Sequence, residues 1–172
     1  MTDFTKLKAG DRYLLSGTIF TARDKAHLYL LENHLEKITG SIIYHCGPII
    51  KDNLVIAAGP TTSSRLNPYT PKMLEKYNLK AIIGKGGMDR TVLEALKGKA
   101  VYFAAVGGAA LVYAKKMTLI SVHKPEFGMP EAIWELVVKD LPLIVAMDSE
   151  GNSLYDTIKE RSEKNLLSIL SR

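Results

Sequence analysis

The feature that most constrains the fold is an alternation in the middle of the chain. Short apolar, β-branched runs take turns with segments of helical periodicity, and most of the runs end in glycine. From residue 53 the order is "NLVIAAG", "YTPKMLEKYNL", "KAIIG", "DRTVLEALKG", "AVYFAAVGG" and "AALVYAKK". Strand–helix–strand order implies parallel strands joined by crossover helices. The boundary signals agree. Thr70 is placed as an N-cap with Pro71 at the first helical position. Asp89 caps the next helix, which closes near Gly98.

The flanks carry more strands. "RYLLSGTIFTAR" reads as extended, and "SIIYH" and "NLVIAAG" as short buried strands. In "DKAHLYLLENHLEKI", residues 24–38, an apolar stripe follows Asp24, which can cap the helix. "MTLISVH", "WELVVKD" and "PLIVAMDS" read as three strands, "EGN" as a turn, and 153–170 as an amphipathic helix. No linker divides the chain. The expectation is one α/β domain over residues 1–172, with a largely parallel central sheet, crossover helices and a second, smaller sheet.

Composition narrows the function classes. Of 172 residues, 47% are hydrophobic and 24% charged, as in ordinary globular domains. No apolar run approaches the roughly 20 residues of a membrane span. The N-terminus lacks the apolar core of a signal peptide. The lone cysteine, Cys46, excludes an internal disulfide, and a cytoplasmic protein is expected. The net charge is +5, but the lysines and arginines are dispersed among 18 acids. Without an interleaved aromatic platform, this suits a solvated surface or a small anion better than nucleic acid.

Three loops gather the chemistry. "GPTTSSR" (59–65) follows a strand and offers Thr61, Thr62, Ser63, Ser64 and Arg65. Hydroxyls, backbone amides and a guanidinium suit a carboxylate or phosphate. "IIGKGG" (82–87) places Lys85 before Gly86, where glycine permits close approach of a ligand. It lacks Walker spacing. "TARDKAH" (21–27) puts Arg23 and Asp24 where a strand turns into a helix. His27 reads as a core histidine and Cys46 as a small buried residue. One histidine and one cysteine in "YHCGP" are too few for a metal site. Three cations at three loop mouths suit a dicarboxylate better than one phosphate. Neither a general base nor a nucleophile accompanies them, so the site reads as half of something.

At these residues the chain resembles the β subunit of two-subunit iron–sulfur fumarate hydratases. That subunit is equivalent to the C-terminal domain of single-chain class I fumarases. Tartrate dehydratase β subunits share the pattern. The resemblance rests on "TARDKAH", "YHCGP", "GPTTSSR", "IIGKGG", "VGGAALVYAKK" and "PEFGMPEAIWELVVKDLPLIVAMDSEGN", in family order over most of the chain. It implies a swivelling β/β/α domain of three layers and reversible hydration of a C4 dicarboxylate. Fumarate is the first substrate expected, with L(+)-tartrate and mesaconate as alternatives. A non-catalytic anion-binding or assembly module is the reading from another class.

The family's [4Fe-4S] cluster needs several thiolates. The resemblance therefore implies that an α subunit holds it, in a hetero-oligomer for which α2β2 is one arrangement. By position, Thr61 is the implied proton-transfer group. Arg23, Arg65 and Lys85 are the implied carboxylate binders, with Asp24, Thr62 and Gly86 in support. The chain departs from the usual "GPTTAGRM" and "AKGN", but Thr61, Arg65 and Lys85 stay in register.

Overall fold

Three short strands, buried at nearly every position, build the middle of the main sheet. The computed structural model describes residues 3–171. Its strands are β1 (Arg12–Thr21), β2 (Ile42–Tyr44), β3 (Ile49–Lys51), β4 (Leu54–Ala57), β5 (Ala81–Gly84), β6 (Val101–Ala104), β7 (Met117–His123) and β8 (Ile133–Met147). Its helices are α1 (Asp24–Glu32), α2 (Thr70–Tyr77), α3 (Arg90–Leu96), α4 (Ala110–Ala114) and α5 (Leu154–Leu170). The main sheet has the order β1-β2-β5-β6-β8-β7, and β1 also pairs with β8. That extra pairing closes five strands into a ring and leaves β7 outside on β8.

Side chains of successive strand residues face opposite ways. Ile43, Ile82 and Tyr102 therefore pack outward with Leu30 of α1, Met73, Leu74 and Tyr77 of α2, and Leu93 and Leu96 of α3. Ile42, Tyr44, Ile83 and Phe103 point the other way, into a second core with Leu15, Leu136, Leu141 and Val145. Both faces of the short strands are thus buried, which explains their unbroken apolar runs.

The sheet is less parallel than expected. β1–β2, β2–β5 and β5–β6 are parallel, but β8 runs antiparallel to β1, β6 and β7. The two strands expected at 134–149 are one long strand. It bends where Asp140 takes φ +51° and the register with β1 shifts between Leu15 and Gly17. The Asp140 amide donates to Ser16 Oγ at 2.9 Å, which secures the bend.

Other boundaries also moved. "NLVIAAG" does not enter the main sheet. Asp52 and Asn53, at φ +49° and +60°, form a two-residue turn that folds β4 back on β3. This hairpin is the second, smaller sheet, and Leu54 is 64% exposed on its outer side. Helix α1 stops at Glu32 rather than running to 38. Lys76 Nζ donates to the carbonyls of Leu30, Leu31 and Asn33 at 2.8–2.9 Å. The Tyr77 hydroxyl lies 2.9 Å from the carbonyls of Leu30 and Asn33. These donors satisfy the end of α1 and make a longer helix unnecessary. Tyr69, not Thr70, is the N-cap of α2; the Thr70 hydroxyl instead donates to the Leu66 carbonyl at 2.8 Å. Asp89 does cap α3, accepting from the Val92 amide at 3.0 Å. Helix α5 buries none of its residues, so its apolar positions do not form a core face.

Tyr77→Phe keeps the buried ring but removes the hydroxyl from the end of α1. We predict a loss of about 1–2 kcal/mol in urea unfolding, equivalent to about 2–4 °C in Tm per kcal/mol. An unchanged midpoint would show that this hydroxyl does not hold the helix end.

Candidate active site

Four parallel strands end on one side of the ring, and their loops make the site. β1 leads into Ala22–Asp24, β2 into His45–Pro48, β5 into Lys85–Gly87 and β6 into Ala105–Gly108. A fifth segment arrives from the β3–β4 hairpin. Pro60 bridges Cys46, and the Thr61 amide donates to the His45 carbonyl at 2.7 Å. The Lys85 amide donates to the Thr61 carbonyl at 3.2 Å, and the Ser63 amide to the Lys85 carbonyl at 3.0 Å. Residues 60–63 are thereby laid beside the ends of β2 and β5, followed by a 3-10 turn at Ser63–Leu66.

The three cations expected from the sequence all lie on loops at this end. Arg23 is the N-cap residue of α1, and its Nε lies 3.5 Å from Glu131. Its side chain is only 26% exposed. It passes Gly47 so closely that a Cβ there would stand 2.9 Å from Arg23 Cδ. Arg65 Nη2 donates to Asp24 Oδ2 at 2.6 Å. Asp24 therefore does not cap α1. It is the first helical residue, and its carboxylate is used by Arg65.

Lys85 runs over Gly107, where a Cβ would meet Lys85 Cδ at 3.1 Å. Among the described residues, Lys85 forms no ion pair, unlike Arg23 and Arg65. Gly86 needs its missing side chain, since it sits at φ +75°. Thr61 is partly exposed, and Thr62 faces solvent. Glu131, Gly47 and Gly107 escaped the sequence reading, although they lie inside quoted motifs. Only the fold brings Glu131 and Gly47 against Arg23, and Gly107 against Lys85.

Below the loops lies a buried polar layer. His27 Nδ1 is 2.8 Å from the Arg23 carbonyl, and its ring meets that of His45 at 5.2 Å. Burial lowers the His27 pKa to about 4. Burial and the neighbouring His27 push His45 well below the usual histidine value. Both are neutral at pH 7. His45 Nδ1 is 2.9 Å from Ser63 Oγ. Cys46 is buried, and desolvation raises its thiol to about 12. It stays protonated and is unfit as a thiolate ligand. No group of three His, Cys, Asp or Glu residues among those described could hold a metal ion. The donors of this chain therefore do not fit an iron–sulfur cluster. An apolar hollow of about 510 Å³, lined by Tyr13, Leu14, Val112 and Pro142 among others, lacks the cation cluster and is a separate feature.

Fold and site together define a mixed α/β domain that carries three cations and a row of hydroxyls on loops at the ends of parallel strands. The chain belongs to the Fumarase C-terminus family, whose model matches residues 1–158. It is 45% identical over 169 residues to a Geobacillus stearothermophilus protein provisionally named class I fumarate hydratase. That alignment covers 94% of this chain but spans only 33% of the relative's length. A Methanocaldococcus jannaschii protein, provisionally named L(+)-tartrate dehydratase subunit beta, is 43% identical over 95% of this chain and 91% of its own. The L(+)-tartrate dehydratase subunit beta of Escherichia coli is 36% identical over 88% of this chain and 81% of its own. Most of α5 lies beyond the family match. No helix among the described residues is long and apolar enough to cross a membrane.

The buried histidines predict an acid-sensitive fold. Unfolded histidine takes up a proton near pH 6.5, whereas folded His27 resists until about pH 4. Its contribution to stability is full above about pH 6.5 and is lost as pH falls toward 4. Between pH 7 and pH 5 the loss from His27 alone is about 2 kcal/mol, and His45 acts in the same direction. Urea unfolding at the two pH values measures it; equal stabilities would contradict neutral burial of the pair.

Proposed function

We propose that this chain is the β subunit of a hydro-lyase that reversibly hydrates fumarate to malate, and that it forms the swivelling three-layer β/β/α domain of that enzyme. The observation that carries the reading is that Arg23, Arg65, Lys85 and Thr61 all lie on loops at the ends of four parallel strands. Two or three cations suit the two carboxylates of a C4 diacid. Arg65 keeps donors beyond the one used by Asp24 and can still grip a carboxylate with two hydrogen bonds. Lys85 supplies a point charge from a stem packed on glycine. Thr61, whose carbonyl accepts from the Lys85 amide, is the proton-transfer group at the reacting carbon. An unperturbed hydroxyl is a weak base, so the surrounding positive charge must lower the cost of removing its proton.

The rest of the site belongs to an α subunit in a hetero-oligomer. Relatives of this chain's own length carry the name subunit beta, while the single-chain relative is about three times longer. In this reading the α subunit holds a [4Fe-4S] cluster, which supplies a Lewis acid for the substrate hydroxyl. The residues described here bind and orient the diacid and move a proton. A second reading, the β subunit of L(+)-tartrate dehydratase, is favoured by the names of the two relatives of matching length. Turnover of fumarate, L(+)-tartrate and mesaconate by the chain combined with its α partner separates the substrates.

Four substitutions test the roles. Arg65→Ala should lower kcat/KM at least about tenfold through loss of a charge-assisted contact, and Lys85→Ala should do likewise. Thr61→Val should lower kcat by about 10²–10⁴-fold, the worth of a positioned acid–base group, with a smaller effect on KM. Thr62→Val is the control and should lose much less. Equal, modest losses in both threonine variants, tracking Tm, would assign proton transfer to the partner. Wild-type kinetics in both cation variants would reduce the loops to architecture.

A further inference from the structure

Helix α1 opens without help from its own N-cap. That residue is Arg23, whose side chain makes no capping bond. The acceptor comes instead from 106 residues away: Glu131 Oε2 accepts from the Lys25 amide at 2.9 Å. The orphan amides and the macrodipole of a helix N-terminus favour a carboxylate there. The other oxygen, Glu131 Oε1, stands 3.5 Å from Arg23 Nε. One carboxylate thus holds the start of α1 and lies against the arginine that precedes it.

Glu131 is itself fixed. Its amide donates to the Gly128 carbonyl at 3.0 Å, and the Ala132 amide donates to the same oxygen at 2.8 Å. The Trp134 amide donates to Thr21 Oγ1 at 3.0 Å, which ties this turn to the end of β1. Pro130 and Arg23 both approach Gly47. A Cβ there would stand 2.7 Å from the Pro130 carbonyl oxygen and 2.9 Å from Arg23 Cδ, so a side chain would displace one or the other.

The guanidinium divides into two parts. Nε is buried and makes no hydrogen bond, so its contact with Glu131 acts through charge. Among the described residues, neither Nη group donates to a protein acceptor. The Nη groups are therefore the donors open to a carboxylate, and their fork geometry suits one.

We propose that Glu131 is a positioning residue: anchored on the Lys25 amide, it holds the Nε side of Arg23 and leaves the Nη groups to grip one carboxylate of the substrate. This rests on the reading of the loops as a diacid site. The sign of the effect separates it from simple charge compensation. If Glu131 only neutralised charge, removing its charge would leave the site more positive and tighten the binding of a dianion. If it positions Arg23, the same change frees the guanidinium and weakens binding. The direct two-bond contact then lost outweighs a repulsion that acts across the arginine.

Glu131→Gln keeps an oxygen for the Lys25 amide and removes the charge. In the labelled, ligand-free chain, exchange of the Arg23 Nε proton with water should quicken about tenfold, while the Lys25 amide stays as protected as in the wild type. Glu131→Ala should release both. Unchanged Nε exchange in both variants overturns the hold on Arg23, whatever the enzyme does.

In NMR titrations of the same chains with fumarate, Glu131→Gln should raise Kd about threefold to tenfold. An unchanged or lower Kd would overturn the positioning role. The substitution should be silent in an Arg23→Ala background, because both act through one side chain. A merely structural glutamate would give the same penalty in both backgrounds. With the α partner present, KM should rise by a similar factor, with kcat changed less. If the wild-type pair turns over no diacid, the proposed function fails, and the Nε exchange still decides whether Glu131 holds Arg23.

Discussion

The site depends on one short ladder. Thr61 donates to His45, Lys85 to Thr61, and Ser63 to Lys85, all through backbone groups. These bonds graft a loop from a peripheral hairpin onto the ends of two central strands. Without them Thr61 and Arg65 would belong to a solvated excursion after β4. With them, the segment that carries Thr61 and Arg65 is held beside the end of β5, where Lys85 lies. The cost of gathering three cations is offset by Asp24 on Arg65 and Glu131 on Arg23. Three positive and two negative groups leave an excess of positive charge, which favours an anion from solution.

Closure of the main sheet makes this gathering possible. β8 spans from β1 to β6, so the four parallel strands cannot splay, and their carboxyl ends stay on one side. The bend at Asp140 lets a single strand serve both neighbours. Short strands buried on both faces carry helices outside and a second core within. The loops can then spend their residues on function: Gly47, Gly84 and Gly107 are small because Arg23, Ser63 and Lys85 pass against them.

Much of this was legible in the sequence, and the reasons are local. β5, β6, α2 and α3 announce themselves through apolar runs, Pro71 and Asp89. The residues of the cation cluster stand beside glycines at strand ends, where ligands collect in α/β proteins. What could not be read depends on distant partners. The early stop of α1 is due to Lys76 and Tyr77, more than forty residues away. The role of Asp24 is decided by Arg65, not by its own helix. The hairpin at Asp52–Asn53 was missed because its apolar strand imitates a core strand, and only the left-handed turn reveals it. Glu131 reaches Arg23 from the far side of the sequence, which no spacing records.

The central claim is that the loops at Arg23, Thr61–Arg65 and Lys85–Gly87 form one binding site for a C4 dicarboxylate. The most direct measurement is an NMR titration of the isolated, labelled chain with fumarate and with malate at low ionic strength. Two charge-assisted contacts of about 1.5–3 kcal/mol each correspond to binding in roughly the millimolar range. The account predicts saturable shifts concentrated at Arg23–Asp24, Thr61–Arg65 and Lys85–Gly87, weakened by Arg65→Ala and by salt. Shifts centred elsewhere, such as the apolar hollow beside Val112, or shifts indifferent to Arg65→Ala, would contradict it.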